Sequence, residues 1–167
     1  MSDADRTTVG AIALRARLES RARALAARPD NGATGDDAAG AVQSMVFRRG
    51  SERFALPLVD VVEISRHARV TPLAGAAAPV VGLAGWRGRV LTVIDLNPGA
   101  ESEGDHLVVA GSGRAAFAIL ADDLEDARPL AGDAAAPADP RRAAYATGVT
   151  SDAVTLLDYR LLQHSLT

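Results

Sequence analysis

The sequence predicts an all-β fold, a small barrel or sandwich, and three observations carry that prediction. Short apolar runs recur at intervals of about 8 to 12 residues, separated by Gly, Pro, Asp and Ser, the spacing of strands joined by tight turns. No amphipathic helical stretch separates one run from the next, so the alternation of a parallel α/β sheet is missing. The chain is 48% hydrophobic over 167 residues but only 4% aromatic, so a core must be assembled from Val, Leu, Ile and Ala.

In chain order, residues 1–41 stand apart as an arm. Ala11, Leu14, Leu18, Ala22 and Leu25 are spaced by threes and fours along one helical face, with Arg15, Arg17, Arg21 and Arg28 mostly off it. Thr7 or Thr8 can cap such a helix and Pro29 stops it. Residues 30–40, with Asn31, Gly32, Gly35, Asp36, Asp37 and Gly40, have the composition of a flexible linker. The expected organisation is therefore an N-terminal helical arm and linker over 1–41 and a β-rich body over 42–167. The narrow apolar stripe suits docking on another helix or on the body; a solubilising extension is the competing reading.

Within the body, residues 45–47 and 54–58 flank a turn at Arg49-Gly50-Ser51-Glu52, and residues 59–64 follow as a strand of alternating burial, its apolar run broken by Glu63. Residues 70–73 are extended, because the residue before Pro72 is pushed out of helix. Residues 80–84 and 90–94 flank the polar turn Gly85-Trp86-Arg87-Gly88-Arg89, a strong hairpin signal. Residues 106–110, a turn at Gly111-Ser112-Gly113, and residues 115–120, 124–130, 148–150 and 154–157 continue the pattern. Residues 132–140 read as an irregular excursion, and 158–164 as a short closing helical turn.

Composition then excludes several function classes. The absence of Cys removes disulfides, Cys-ligated zinc, iron–sulfur clusters and thiol nucleophiles. A net charge of -3 counts against a strong binder of nucleic acid or anionic membrane, both of which need surplus positive charge. Arg15, Arg17, Arg21 and Arg23 break the first apolar stretch, so neither a signal-peptide core nor a spanning helix is expected, and the location is expected to be cytoplasmic. All 18 basic residues are Arg. Compositional bias accounts for that, and no single Arg is read as a functional signal.

Searches for catalytic and metal-binding patterns return little. His67, His106 and His164 lie far apart, and none has metal-ligand spacing. Gly111-Ser112-Gly113 lacks the lysine and the helix of a phosphate loop, and reads as a hairpin turn. The acidic run Asp122-Asp123-Leu124-Glu125-Asp126 lacks the calcium-loop pattern and reads as a solvated strand edge. No Gly-x-Ser-x-Gly stands between a strand and a helix. An enzyme would have to gather His106 or His67 with Asp122. A binding module is therefore expected, with no cofactor and no metal.

Two features stand out. Glu63 is an acid near the end of an apolar strand, readable as an exposed position or as a contact residue. Trp86 and Arg87 sit together at a hairpin turn and are residue types enriched at binding hot spots; alternatively, Trp86 packs under the hairpin and Arg87 is merely solvated.

The order of these motifs resembles the CheW-like domain of bacterial chemotaxis adaptors. The resemblance is carried by Phe47-Arg48-Arg49-Gly50-Ser51-Glu52-Arg53-Phe54-Ala55-Leu56-Pro57, by Asp60-Val61-Val62-Glu63-Ile64, by Thr71-Pro72-Leu73 with Pro79, and above all by the stretch from Gly82 to Leu96. Phe117-Ala118-Ile119-Leu120-Ala121-Asp122-Asp123-Leu124 and residues 148–162 extend it. The resemblance implies two small five-stranded β-barrel subdomains with a short C-terminal helix. It also implies a non-catalytic scaffold that couples the signalling domain of a chemoreceptor to the CheW-like regulatory domain of a histidine kinase, without membrane insertion, at receptor arrays. Carried over to this chain, Val61, Glu63 and Ile64 fall where the family contacts the receptor tip, and Arg87, with Trp86 beside it, at the turn used for receptor and kinase.

The chain departs from the family pattern at that turn, where Gly85-Trp86 replaces Asn-Leu. It departs again at Thr92, where Pro is usual, and at Asn97-Pro98-Gly99-Ala100. These changes touch the partner surface more than the core. A small barrel binding a ligand or single-stranded nucleic acid is the second class of function, and the acidic balance and scarce aromatics count against it.

Overall fold

The computed structural model describes residues 41–66, 69–111, 115–130 and 135–166. The helix and linker expected before residue 41, together with His67, Ser112 and Gly113, lie outside the described residues.

Eleven strands and two short helices follow one another: β1 (Val42–Arg49), β2 (Glu52–Pro57), β3 (Val61–Arg66), β4 (Val70–Pro72), β5 (Val80–Trp86), β6 (Arg89–Ile94), β7 (His106–Ala110), β8 (Phe117–Ala121), β9 (Asp123–Leu130), α1 (Pro140–Ala143), β10 (Ala146–Val149), β11 (Val154–Leu157) and α2 (Tyr159–Ser165). They form a five-stranded sheet of order β10-β11-β2-β1-β9 and a six-stranded sheet of order β3-β7-β8-β6-β5-β4. Both are mixed, since β11 runs parallel to β2 and β6 parallel to β8. Among the described residues, neither ladder returns to its first strand.

The expected pair of five-stranded units is thus corrected to five and six. The sixth strand, β4, pairs with β5 through Val70↔Ala84, Thr71↔Leu83 and Pro72↔Gly82. Gly82 makes this close pairing possible: a Cβ there would run into the Thr71 carbonyl. A second correction concerns residues 59 and 60. Hydrogen bonds from Asp60 N to Pro57 O (2.9 Å) and from Val61 N to Leu58 O (3.2 Å) close a turn there, so Val59 is solvent-exposed and the strand begins at Val61.

Strand periodicity then distributes the core. Every residue of β7 and β8 is buried, because each of these central strands has an apolar layer on both faces. Val108, Ala110, Phe117 and Ile119 face a layer shared with Phe47, Phe54 and Leu56 of the smaller sheet. Leu107, Val109, Ala118 and Leu120 join Ala84, Leu91 and Val93 in a second layer. Val46, Ala55 and Val154 form a third on the smaller sheet. Each fully buried Val, Leu, Ile or Phe contributes about 1.5–3 kcal/mol of transfer free energy.

The closing segment folds as expected. Asp158 caps α2 by accepting from the amides of Arg160 (2.7 Å) and Leu161 (3.1 Å), and Leu162 plugs into the shared layer. From residue 135 on, the Ala/Asp/Pro-rich excursion is less irregular than its composition suggests. Ala135 bridges Val149, and Asp139 caps the short helix α1 that opens on Pro140.

One glycine is indispensable. Gly111 has φ +87, and a Cβ on it would collide with the hydroxyl and ring of Tyr159. That ring stacks on Phe117 at 5.6 Å, and its hydroxyl donates to Ala115 O at 3.0 Å. We expect Gly111→Ala to cost about 2–4 kcal/mol, combining backbone strain with displacement of a packed aromatic. Chemical denaturation measures this; a loss below about 0.5 kcal/mol, the range of an ordinary surface substitution, would show that the position tolerates a side chain.

Candidate functional site

The β5–β6 hairpin closes on the pair Trp86↔Arg89, leaving Arg87-Gly88 as a two-residue loop. Both loop residues have positive φ, 47 for Arg87 and 74 for Gly88, as two-residue hairpin turns of the primed types require. For a non-glycine residue this conformation costs on the order of 1 kcal/mol or more. Two interactions of its own side chain hold Arg87 there. Its Nη2 lies 2.6 Å from Glu63 Oε2, and its guanidinium carbon sits 5.2 Å from the Trp86 ring centroid in a cation–π contact. Trp86 Nε1 donates to the same Glu63 oxygen at 3.0 Å. Three residues singled out in the sequence therefore form one cluster, with Glu63 as its hub.

This convergence requires a rolled sheet. β3 and β5 are four positions apart in the strand order, a separation of about 19 Å if the sheet were flat. Trp and Glu side chains cannot bridge that distance, so the six-stranded sheet must curl until its β3 edge approaches the hairpin. The indole ring packs against the layer that the curl encloses, while the Arg87 side chain stays 67% exposed.

A bulge in β3 aims Glu63. Val61 pairs with Ala110, but Glu63 pairs with Val109, so Val62 is the extra residue. Strict alternation would put Val61 and Glu63 on one face. Instead Val61 and Ile64 pair with Ala110 and Val108, which belong to the layer between the sheets, whereas Glu63 pairs with Val109 of the enclosed layer. The structure thus joins Glu63 to Trp86 and Arg87 and turns Val61 and Ile64 to the opposite face, where Val61 packs on the core. The exposed aliphatic side chain of this strand is Val62.

Sequence reasoning missed a second polar cluster, which is buried and ties the two sheets together. Arg49, at the end of β1 and 4% exposed, donates from Nε to Asp95 Oδ1 (3.0 Å) and from Nη2 to Asp95 Oδ2 (2.6 Å), a bidentate fork. Its Nη1 reaches Asp122 Oδ1 (2.6 Å), Ser102 O (2.8 Å) and Ser102 Oγ (2.9 Å). Ser102 Oγ and the Gly50 amide also donate to Asp122, and the Asn97 amide donates to Asp95 Oδ1 at 2.9 Å.

Asp122 is therefore a bound carboxylate, correcting its reading as part of a solvated edge. The available signal was position: Asp95 and Asp122 each directly follow a run of buried apolar residues, where an acid needs a cation. Arg49 was passed over because Arg is abundant throughout the chain. His106 Nδ1 donates to the main-chain carbonyl of Asp122 at 3.2 Å, while the Asp122 carboxylate is engaged by Arg49, Ser102 and the Gly50 amide. Among the described residues, no group of three or more His, Asp or Glu is placed to hold a metal, and no helix is long and apolar enough to cross a membrane.

The network has a pH signature. The bonds that Arg49 donates to Asp95 lead in holding its guanidinium above its ordinary value, against the opposing effect of burial. Burial alone would raise the Asp122 carboxyl, but the bonds from Ser102, Gly50 and Arg49, together with the Arg49 charge, outweigh it and hold the group below its ordinary value. A lowered folded-state pKa stabilises fully above the unfolded value, about pH 4, and the contribution is lost as pH falls through the folded value. We expect Asp122→Asn, less stable than the parent at pH 7, to lose less stability between pH 7 and pH 3. Denaturant midpoints across that range test it, and parallel losses would refute it.

The chain has relatives. The sequence profile of the CheW-like domain matches residues 43–166. Protein FrzA from Myxococcus xanthus is 31% identical over an alignment covering 70% of this chain and 76% of FrzA. The crystal structure of the scaffolding protein TtCheW from Thermoanaerobacter tengcongensis superposes with a TM-score of 0.57 at 19% identity, covering 71% of this chain and 89% of that one. At that identity the likeness is one of fold.

Proposed function

The chain belongs to the CheW-like domain family, and from that membership we propose that it is a non-catalytic scaffold adaptor coupling methyl-accepting chemoreceptors to a chemotaxis-type histidine kinase. It acts in the cytoplasm, recruited to membrane-associated receptor arrays. The observation that carries this reading is the cluster of Glu63, Trp86 and Arg87 at the rim of the rolled sheet. A carboxylate, an indole and a guanidinium are held in one arrangement by bonds among themselves. Such a group is pre-ordered, so a partner that docks on it meets side chains whose ordering entropy is already spent.

The receptor's signalling tip is a helical hairpin, and an apolar rim edged by a few charges sets the register of a docked helix. In this reading Glu63, Arg87 and the exposed Val62 face the partner. Val61 and Ile64 act from behind, pressing β3 on the core so that the bulge holds its shape. The kinase partner is the CheW-like regulatory domain.

The full chain should capture a purified receptor signalling domain and a kinase regulatory domain at micromolar concentrations. Binding of neither would remove the adaptor reading.

A further inference from the structure

We propose that the Glu63–Arg87 pair recognises a side-chain amide, Asn or Gln, on the docked helix. This rests on the adaptor reading and names the group that the partner must present. Glu63 Oε2 takes both the bond from Trp86 Nε1 and the contact from Arg87 Nη2. Glu63 Oε1 accepts no hydrogen bond from the described residues. Arg87 meets Glu63 through Nη2, and the hydrogens on its Nε and Nη1 have no acceptor among the described residues. Both side chains are open to solvent in part. The pair therefore offers a free carboxylate acceptor beside free guanidinium donors.

Acceptor and donors are close together and fixed in place. Oε1 and Nη1 each share a carbon with one of the two atoms in contact, so a single side chain of the partner spans both. The bulge in β3 aims Glu63, and the indole N–H settles which carboxylate oxygen is left over. On the other side, the left-handed turn and the Trp86 ring hold the guanidinium. The acceptor thus belongs to β3 and the donors to the hairpin.

A side-chain amide is the group that fits, because it carries an N–H donor and a carbonyl acceptor on one plane and no charge. An incoming Asp or Glu is repelled by Glu63, and an incoming Lys or Arg by Arg87. Either would also bring an unneutralised charge into a surface that loses water on docking. An apolar residue would leave the Glu63 acceptor and the Arg87 donors covered and unpaired. A nucleobase edge also sets a donor beside an acceptor, but its phosphates would approach a chain of net charge -3.

Trp86 is the one Trp of the chain, so its fluorescence reports on this site. The full chain is titrated with Trp-free helical peptides of about 20 residues carrying a Leu face, identical except for a central guest on that face: Asn, Gln, Asp, Lys or Ala. We expect the Asn or Gln peptide to bind at least about fivefold more tightly than the Asp, Lys and Ala peptides. The preference should survive high salt, because the guest is neutral. The deciding variant is Glu63→Gln. Its amide oxygen still accepts from Trp86, while its amide nitrogen replaces Oε1, so the site offers donors only and should come to prefer the Asp peptide. A purely structural Glu63 predicts no such exchange. No peptide binding, equal binding of every guest, tighter binding of the Asp, Lys or Ala peptide or of a single-stranded oligonucleotide by the parent, or an unchanged preference in Glu63→Gln would overturn the proposal. Capture of a receptor domain without an amide preference would remove this inference and leave the adaptor reading standing; an amide preference without receptor capture would do the reverse.

Discussion

Arg49→Met should destabilise the folded body by about 3–5 kcal/mol and lower its melting temperature by roughly 10–15 °C. The substitution roughly preserves the buried side-chain volume but leaves the carboxylates of Asp95 and Asp122, 5% and 15% exposed, without their cation. Removing one partner of a buried ion pair strands the other's desolvation cost, which exceeds what the pair adds over an apolar replacement. Arg49→Lys should recover only part of the loss, because an ammonium cannot form the planar fork to both Asp95 oxygens while also reaching Asp122 and Ser102. Combining Arg49→Met with Asp95→Asn and Asp122→Asn should recover more, since the buried charges then disappear together. Thermal unfolding followed by circular dichroism decides the matter. A change under 2 °C, within the range of an ordinary surface substitution, would show that the network contributes nothing net.

The second large effect concerns binding. We expect Glu63→Arg to weaken receptor binding at least about thirtyfold, the scale of a hot-spot residue. Its cost to stability should stay near 1 kcal/mol, because the Glu63–Arg87 pair is partly solvated, its side chains being 31% and 67% exposed. The variant sets two guanidinium groups beside one indole N–H, so Arg87 should also lose the anchor that holds its left-handed backbone. The reversed pair, Glu63→Arg with Arg87→Glu, separates two roles. It restores the internal ion pair and should restore the stability, but it presents a reversed charge pattern to the partner, so binding should stay weak. If the reversed pair binds like the parent, the two residues serve only to shape the turn. Isothermal titration with the receptor domain, alongside melting curves, reads both quantities.

Much of the fold was legible because strand signals are local. The runs at 80–84, 90–94, 106–110 and 154–157 fall on strands and the run at 54–58 ends one residue past β2, since period-two burial and turn residues act over a few positions. The hairpin at Trp86 and Arg87 was legible for the same reason. That Val61 and Ile64 face away from Glu63 was not legible, because a one-residue bulge reverses the facing of everything after it and nothing in Val61-Val62-Glu63 marks the insertion. Residues 70–73 were legible as an extended piece, but their place as a sixth strand of the larger sheet was not, because a three-residue edge segment is defined by its partner, here the Gly82 backbone.

By itself the sequence determined an all-β body, the CheW-like pattern from residue 47 to residue 162, and the candidacy of Glu63, Trp86 and Arg87, all properties of local spacing and residue type. Only the tertiary structure decided that these three touch, across 23 residues and four strand positions, and that Arg49 meets Asp95 and Asp122, 46 and 73 residues away. The physical reason is that an ion pair depends on a separation of a few ångströms, set here by how one sheet rolls and how two sheets stack. That separation is summed over many strands and written in no single stretch of chain.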